Sequence, residues 1–141
     1  MYQDLEGKVA LVTGGSFGIG RTTILEYAKN KAKVAIADID EAGAQAVAEE
    51  VHSLGGEAIV IKTDVSKSAD VKAMVDVVVA HYGCLDIAFN NAGIDLDHTY
   101  LADAEEDMFD KLMAVNVKGV WLCLKYEIAQ MMKQGGGVIV N

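Results

Sequence analysis

The chain has 141 residues, of which 52% are hydrophobic and 23% charged, with a formal net charge of −9 at pH 7. This length and composition predict one domain with a hydrophobic core. The acidic balance argues against nucleic-acid binding, and no apolar run is long enough to span a membrane. Neither the cysteines nor the histidines have metal-ligand spacing, so no metal is expected. Cys84 and Cys123 are predicted to be reduced thiols of a cytoplasmic protein, with a disulfide as the alternative.

A strand that ends in a glycine-rich turn opens the chain. Residues 8–20 read KVALVTGGSFGIG, and a helical pattern follows from Arg21. This arrangement brings a phosphate to the N-terminus of a helix, where free N–H groups and the helix dipole favour an anion. The spacing G-x-x-x-G-x-G matches neither the common dinucleotide fingerprint nor the P-loop, and taken alone it also suits an ordinary strand–turn–helix connection. The candidate phosphate-binding residues are Gly14, Ser16, Phe17, Gly18, Ile19 and Gly20.

Strand and helix patterns then alternate to the end of the chain. Strands are predicted over 34–38, 57–62, 84–89 and 138–141, and helices over 21–30, from 41 to about 54, after 66, and over 103–133. Asp40 and Ser66 are expected to cap the second and third helices through their side-chain oxygens. Asn30 is expected to take the left-handed conformation at the end of the first helix.

This alternation predicts a doubly wound α/β fold of the Rossmann type. Apolar strands that alternate with helices form a parallel sheet with helices on both faces. Right-handed crossovers, together with a phosphate-binding turn on the first strand, select the strand order 3-2-1-4-5. Residues 1–141 are therefore predicted to form one domain, with ligand contacts at the carboxyl ends of the first four strands.

Asp38 ends the second strand at a position suited to a ribose. A carboxylate there can accept hydrogen bonds from both ribose hydroxyls of an adenosine, and it repels an additional 2′-phosphate. Ala37 supplies no arginine that would bind that phosphate, so Asp38 and the adjacent Ile39 predict a site for NAD rather than NADP. The alternative is that Asp38 caps the following helix.

Polar residues also follow the third and fourth strands. Asp64 is predicted to face the exocyclic amine of an adenine while Val65 packs on the ring, unless Asp64 only caps its own loop. Asn90 is expected to tie the fourth strand to its neighbours through bonds to the backbone. With Ala92 and Gly93 it would also allow close approach of the cofactor ribose.

Taken together, these motifs resemble the compact branch of the short-chain dehydrogenase/reductase family. The resemblance covers the whole chain and rests on TGGSFGIG at 13–20, Asp38, Asp64-Val65, NNAG at 90–93 and Asn116. It implies an oxidoreductase that moves a hydride between NAD and an alcohol or carbonyl carbon of a small molecule. It further implies that Asn116 is a catalytic residue in a local break of the long helix, and that Val115 lies near the adenine end of the cofactor. No feature of the sequence selects the substrate.

The family's other catalytic residues, a serine and a Tyr-x-x-x-Lys pair, follow the fifth strand. We therefore expect the fold to be truncated after that strand, so that this chain supplies the cofactor-binding half of the parent enzyme and is inactive alone. The alternative is a short protein that binds a dinucleotide, or pairs with other subunits, without turnover. Tyr27 and Lys31 match the pair in spacing, but they lie at the far end of the first helix and are predicted to be a packing residue and a solvated charge.

The long helix at 103–133 is apolar on more than one side. A helix of this kind is buried on more than one side. One side is predicted to cover the sheet and the other to meet a partner subunit in a homo-oligomer, a dimer or a tetramer, as the resemblance also implies. Burial under a following segment is the alternative. The two stripes comprise Met108, Leu112, Val115, Gly119, Leu122 and Tyr126, and Phe109, Met113, Val120, Leu124, Ile128 and Met131.

Overall fold

The computed structural model describes residues 3–95 and 98–141. Their centre is a five-stranded parallel sheet in the order β3-β2-β1-β4-β5, which confirms the predicted topology. The strands are β1 (Val9–Thr13), β2 (Lys33–Asp38), β3 (Ala58–Lys62), β4 (Ile87–Asn90) and β5 (Val138–Val140). All five residues of β1, the middle strand, are buried.

Helices cover both faces of the sheet. They are α1 (Gly18–Lys29), α2 (Glu41–Ser53), α3 (Ser68–Tyr82), α4 (Glu106–Leu112) and α5 (Val120–Gln134), with short 3-10 turns at Gln3–Leu5 and Leu101–Asp103. A π-helical segment, Met113–Gly119, joins α4 to α5, and the three parts together are called the long helix below. Among the described residues, no helix has both the length and the apolar character needed to cross a membrane.

Two hydrophobic clusters hold the helices against the sheet. Val12 packs with α1 and α2 on one face, whereas Leu11 packs with α3 and α5 on the other. Because successive side chains of a strand point to opposite faces, one strand supplies the centre of both clusters. Because the strands are parallel, the carboxyl ends of β1 to β4 lie at one edge of the sheet.

The end of α1 differs from the prediction. Asn30 has a φ of −94°, and the left-handed residue is Lys31, with a φ of 64°. The Asn30 side chain is buried and donates to the Glu26 carbonyl oxygen, so it satisfies a backbone acceptor of the last turn. Lys31 lies beyond the helix and forms an ion pair with Glu6.

Of the two predicted caps, one is confirmed and one is wrong. Asp40 caps α2, because its Oδ1 accepts from the Gly43 N–H at 3.0 Å. Ser66 does not cap α3, which begins at Ser68 without a side-chain cap. Instead, the N–H and Oγ of Ser66 both donate to Asp64 Oδ1. The hydroxyl is satisfied within the loop and does not reach the helix.

Other boundaries also differ from the prediction. The first helix was expected from Arg21 but begins at Gly18, within the glycine turn. The fourth strand was expected from residue 84 but begins at Ile87, because the backbone of Leu85 bonds to the Gln134 side chain. The long helix was expected from residue 103 but begins at Glu106, after the 3-10 turn. Leu54, predicted to face inward, is 53% exposed beyond the end of α2.

Candidate functional site

Glycines allow the turn after β1 to pass close to the segment after β4. A Cβ added at Gly20 would lie 2.1 Å from the Gly14 carbonyl oxygen, and one added at Gly14 would lie 2.8 Å from Ala92 Cα. Real Cβ atoms do not approach backbone atoms so closely, and Gly14 also has a positive φ of 67°. The start of α1 therefore packs directly on the carboxyl ends of β1 and β4.

The N-terminus of α1 presents unused backbone donors. No side chain caps the helix at Phe17, and its first turn contains no acidic residue. The first N–H groups of the helix, on Gly18, Ile19 and Gly20, have no acceptor within it. Phe17 and Ile19 are 76% and 71% exposed, so the turn opens to solvent. These donors and the helix dipole make the turn a candidate anion site, of the kind that binds a phosphate.

Asp38 connects the end of β2 to this turn. Its Oδ2 accepts from the Ser16 N–H and its Oδ1 from the Asp40 N–H, both at 2.9 Å. The capping alternative is excluded for Asp38, because Asp40 caps α2. Each carboxylate oxygen has a second lone pair, so Asp38 can still accept hydroxyl donors next to the anion site.

A cleft of about 320 Å³ lies beside the end of β3. Asp64, which lines it, accepts from Ser66 and pairs with Lys67 Nζ at 3.3 Å, and the Ser66 hydrogen bond is the main cause that lowers its pKa. The loop-capping alternative for Asp64 is thus observed. Val65 is 7% exposed and packs against Gly119 on the long helix, which leaves little of its side chain for an adenine ring. The other lining residues are Ile39, Ile61, Lys62, Lys67, Asp70 and Ala73.

The side-chain hydrogen bonds to neighbouring backbone that were expected of Asn90 are formed by Asn91. Asn91 Nδ2 donates to the carbonyl oxygens of Thr13 and Gly14, and the Ala92 N–H donates to Thr13 Oγ1. The Asn90 side chain points the other way and bonds to side chains of the long helix and of the end of β5. Adjacent residues of a strand face opposite sides of the sheet. This alternation along the NNAG motif was the sequence signal that could have distinguished the role of Asn90 from that of Asn91.

Asn116 lies in the π-helical segment, so the local break expected at this residue is present. Its Oδ1 accepts from the Ile94 N–H and its Nδ2 donates to the Ile94 carbonyl oxygen, both at 2.8 Å. A Cβ added at Gly93 would lie 3.3 Å from Asn116 Oδ1. Val115 is half-buried and packs on the same hydrophobic cluster as Ala92. These contacts place the long helix against the segment that follows β4.

The predicted site residues therefore gather at one edge of the sheet, whereas Tyr27 and Lys31 do not. Tyr27 packs on the cluster under α1 and α2, and burial raises its pKa. Lys31 pairs with Glu6 beyond the C-terminus of α1. The interpretation of these two as a packing residue and a surface charge agrees with their positions.

The topology, the glycine turn and the NNAG segment can be compared with known proteins. A family model described as short chain dehydrogenase matches residues 8–141. The chain belongs to the short-chain dehydrogenase family. A protein from Thermotoga maritima described as an uncharacterized oxidoreductase is 47% identical over 138 residues. A 2,5-dichloro-2,5-cyclohexadiene-1,4-diol dehydrogenase from Sphingobium indicum is 44% identical over 139 residues. Each alignment covers 98% of this chain and 54% of the relative.

Solved structures of similar proteins have the same fold. The structure of an NAD+-bound xylitol dehydrogenase has a TM-score of 0.94 at 34% identity, covering 97% of this chain and 53% of that protein. A 3-ketoacyl-(acyl-carrier-protein) reductase from Brucella melitensis, complexed with NADH, has a TM-score of 0.87 at 41% identity, covering 93% of this chain and 52% of that protein. This chain spans about half the length of the relatives that it matches.

Proposed function

We propose that residues 1–141 form the NAD-binding domain of an oxidoreductase that transfers a hydride between NAD and a small alcohol or carbonyl compound. One relationship carries this proposal: the Asp38 carboxylate accepts from the Ser16 N–H, within the turn that leads to the uncapped N-terminus of α1. A ribose acceptor is thereby joined to an anion site, as the adenosine half of a dinucleotide requires. When bound, NAD supplies the hydride chemistry, and this chain supplies binding and orientation.

The residues around the site divide into three roles. The turn with Gly14, Ser16, Phe17, Gly18, Ile19 and Gly20 is proposed to hold the pyrophosphate, and Asp38 with Ile39 the adenosine ribose. Asp64 and Val115 are proposed to border the adenine, together with the small part of the Val65 side chain that remains exposed. Asn90, Ala92 and Gly93 form the segment against which the cofactor lies.

We propose that Asn116 acts by holding the backbone that follows β4 in place. Both polar atoms of its side chain are engaged by the Ile94 backbone. It therefore fixes the segment after Gly93. We propose that this positioning is part of the catalytic role that the family resemblance implies, since Oδ1 keeps a second lone pair and Nδ2 a second hydrogen.

The preference for NAD over NADP rests on charge. The Asp38 carboxylate lies next to the proposed ribose position, where it would repel a 2′-phosphate. Two lysines that line the neighbouring cleft are already paired, Lys62 with Glu41 and Lys67 with Asp64. The local field therefore favours the unphosphorylated ribose.

Titration calorimetry of the chain with NAD+ and NADP+ tests this proposal. We expect NAD+ to bind at least about tenfold more tightly, equivalent to about 1.4 kcal/mol. Asp38→Asn should lose most of this difference, because it loses the charge that repels the 2′-phosphate. Asp40→Asn, which alters the neighbouring carboxylate that caps α2, should keep the difference. Equal affinities of the unmodified chain for both cofactors would exclude the assigned role of Asp38.

A homo-oligomer through the long helix is also proposed. One side of this helix exposes a stripe of large apolar side chains: Phe109, Met113, Val117, Trp121, Ile128 and Met132. Contiguous exposed apolar surface of this kind is typical of a protein interface. The same stripe supports the second candidate function, in which the chain pairs with other subunits without turnover.

A cytoplasmic location is proposed as well. Cys84 and Cys123 are free thiols, which is consistent with that location.

A further inference from the structure

A completely buried carboxyl group lies between the long helix and the sheet. Glu127 on α5 is 0% exposed, and among the described residues no cation pairs with it. Within the described part of the chain, its side chain forms one hydrogen bond: Asn90 Nδ2 donates to Glu127 Oε2 at 2.9 Å. A charged carboxylate in such a place is costly, because burial removes its hydration and nothing replaces it.

Two oxygens of this pair have no partner among the described residues. They are Glu127 Oε1 and Asn90 Oδ1. Buried polar atoms are nearly always hydrogen-bonded, so two orphaned acceptors on adjoining groups require an explanation. Both atoms are acceptors when Glu127 is ionised, and no arrangement of the ionised pair can satisfy one with the other.

We infer that Glu127 is a positioning residue held as the neutral acid, with a proton on Oε1 that is donated to Asn90 Oδ1. The carboxylic acid and the carboxamide then form a cyclic pair: Asn90 Nδ2 donates to Glu127 Oε2, and Glu127 Oε1 donates to Asn90 Oδ1. A single proton, taken up from solvent on folding, satisfies both orphaned atoms. The second hydrogen of Asn90 Nδ2 remains on Asn141 Oδ1, at 2.9 Å.

The surroundings support the neutral form. Burial raises the pKa of Glu127 to about 7, although the Asn90 hydrogen bond acts in the opposite direction. The side chains that interact with Glu127 carry no charge: Asn90 from β4, which also bonds to the Asn141 side chain, and the Cys123 thiol from the preceding turn of α5. Burial, and then the field of Glu127, raise the pKa of that thiol to about 12. From α3, Val71, Met74, Val75 and Val78 belong to the cluster that contains Cys123, and Val79 and Tyr82 pack against it. Tyr82 is the titratable side chain among these six, and its hydroxyl donates to the Val34 carbonyl oxygen.

The cyclic pair of Glu127 and Asn90 lies next to the proposed cofactor site. Asn90 is the last residue of β4 and directly precedes the segment 91–93, which packs on the glycine turn. By fixing the Asn90 carboxamide, Glu127 joins the long helix to the ends of β4 and β5 at the edge where the cofactor is proposed to lie. This consequence for cofactor binding rests on the proposed function, whereas the protonation state of Glu127 does not.

Glu127→Gln provides a sharp test of the protonation state. Its carboxamide can form the same two hydrogen bonds with Asn90 but cannot titrate. The unfolded carboxyl loses its proton near its ordinary pKa of 4.5, and the folded one near 7. The stabilisation is therefore complete below the unfolded value and is lost as the pH rises to 7. We expect the unfolding constant of the wild type, relative to Glu127→Gln, to rise roughly tenfold per pH unit between about pH 5 and 7 and then to level off.

Glu49→Gln, an exposed carboxylate on α2, is the matched control and should follow the wild type. Infrared spectroscopy at pH 6 should show a protonated-carboxyl band in the wild type and in Glu49→Gln that is missing in Glu127→Gln. The inference is overturned if this band is absent from the wild type, or if the unfolding ratio is flat or changes in the opposite direction.

Calorimetry with NAD+ tests the positioning role. Above pH 7 the wild type should bind NAD+ at least threefold more weakly than at pH 6, while Glu127→Gln keeps one affinity. A pH-independent wild-type affinity, with the infrared band present, would show that Glu127 is neutral but does not position the site. Absence of NAD+ binding by either protein at any pH would contradict the proposed function, and the infrared and unfolding results would then decide the protonation state.

Discussion

Asn116 holds the backbone of Ile94 through two hydrogen bonds of 2.8 Å, one accepted and one donated. Gln134, the last residue of the long helix, does the same to Leu85: its Oε1 accepts from the Leu85 N–H at 3.1 Å, and its Nε2 donates to the Leu85 carbonyl oxygen at 2.7 Å. Leu85 precedes β4 and Ile94 follows it. The two amides therefore fix the long helix against both ends of β4.

Removal of each of these two amides is expected to affect the cofactor site differently. Asn116→Ala should weaken NAD+ binding about tenfold, because Ile94 adjoins the segment at the carboxyl end of β4. Gln134→Ala is the matched control: it loses the same kind of contact at the opposite end of the strand and should leave NAD+ affinity unchanged. Both should destabilise the fold by about 1–2 kcal/mol, the net value of one or two hydrogen bonds. Calorimetry and urea unfolding measure the two effects. Equal losses of affinity would contradict the assignment of Asn116.

Gly20→Ala should destabilise the fold by about 3 kcal/mol, because its Cβ would overlap the Gly14 carbonyl and force α1 away from β1. The added Cβ would lie 2.1 Å from that oxygen. Gly83→Asn is the control: Gly83 has a left-handed φ of 89° and open space around it. Asparagine tolerates this conformation, so that variant should lose less than about 1 kcal/mol. Urea unfolding of both variants checks the contrast, and a Gly20→Ala protein as stable as Gly83→Asn would exclude close packing at the turn.

Trp121→Glu should dissociate the proposed oligomer. Trp121 is 58% exposed in the middle of the apolar stripe, and a charge there would be desolvated at an interface. Val77→Glu is the matched control, because Val77 is also exposed, at 44%, but lies on α3. Sedimentation at several concentrations should show at least tenfold weaker association for Trp121→Glu and none of this effect for Val77→Glu. A wild-type chain that stays monomeric at every concentration would rule out the interface.

The 141-residue polypeptide, produced alone, should bind NAD+ but not reduce it with an alcohol. A tyrosine that moves a proton near neutral pH needs a lowered pKa. Burial raises the pKa of Tyr27, and it raises that of Tyr82 to about 12, while the Tyr82 hydroxyl donates to the Val34 carbonyl oxygen. Formation of NADH, followed by its absorbance over a panel of alcohols, measures the outcome. Turnover that Tyr27→Phe abolishes would show that Tyr27 is a catalytic residue after all.

Local patterns in the sequence were sufficient to predict the architecture of the fold. Apolar strands, helical periodicity and the glycine turn predict a parallel sheet in the order 3-2-1-4-5, and the structure has that order. These signals act within a few residues of the chain, and right-handed crossovers leave few ways to assemble the elements. The buried positions of α3, including Val71 and Val78, follow from the same periodicity.

Side-chain partners at the turns were less predictable. Ser66 was expected to cap α3, but the Asp64 carboxylate lies closer and takes both of its donors. The left-handed residue after α1 is Lys31, because the Asn30 side chain is drawn into the last turn by Glu26. In each case the side chain bonds to a neighbouring residue in place of its predicted role, and only the folded geometry shows which partner it takes.

By itself, the sequence determined the fold, the family resemblance and the edge of the sheet at which the candidate site residues meet. Alternation along the NNAG motif places its two asparagines on opposite sides, but only the tertiary structure decided that Glu127 is buried against Asn90. Asn90 and Glu127 are 37 positions apart in the chain. Periodicity reports which side of an element is buried, but it carries no information about which polar atoms meet across such a separation. Only the packing of the long helix on β4 brings that carboxyl and carboxamide together, away from water.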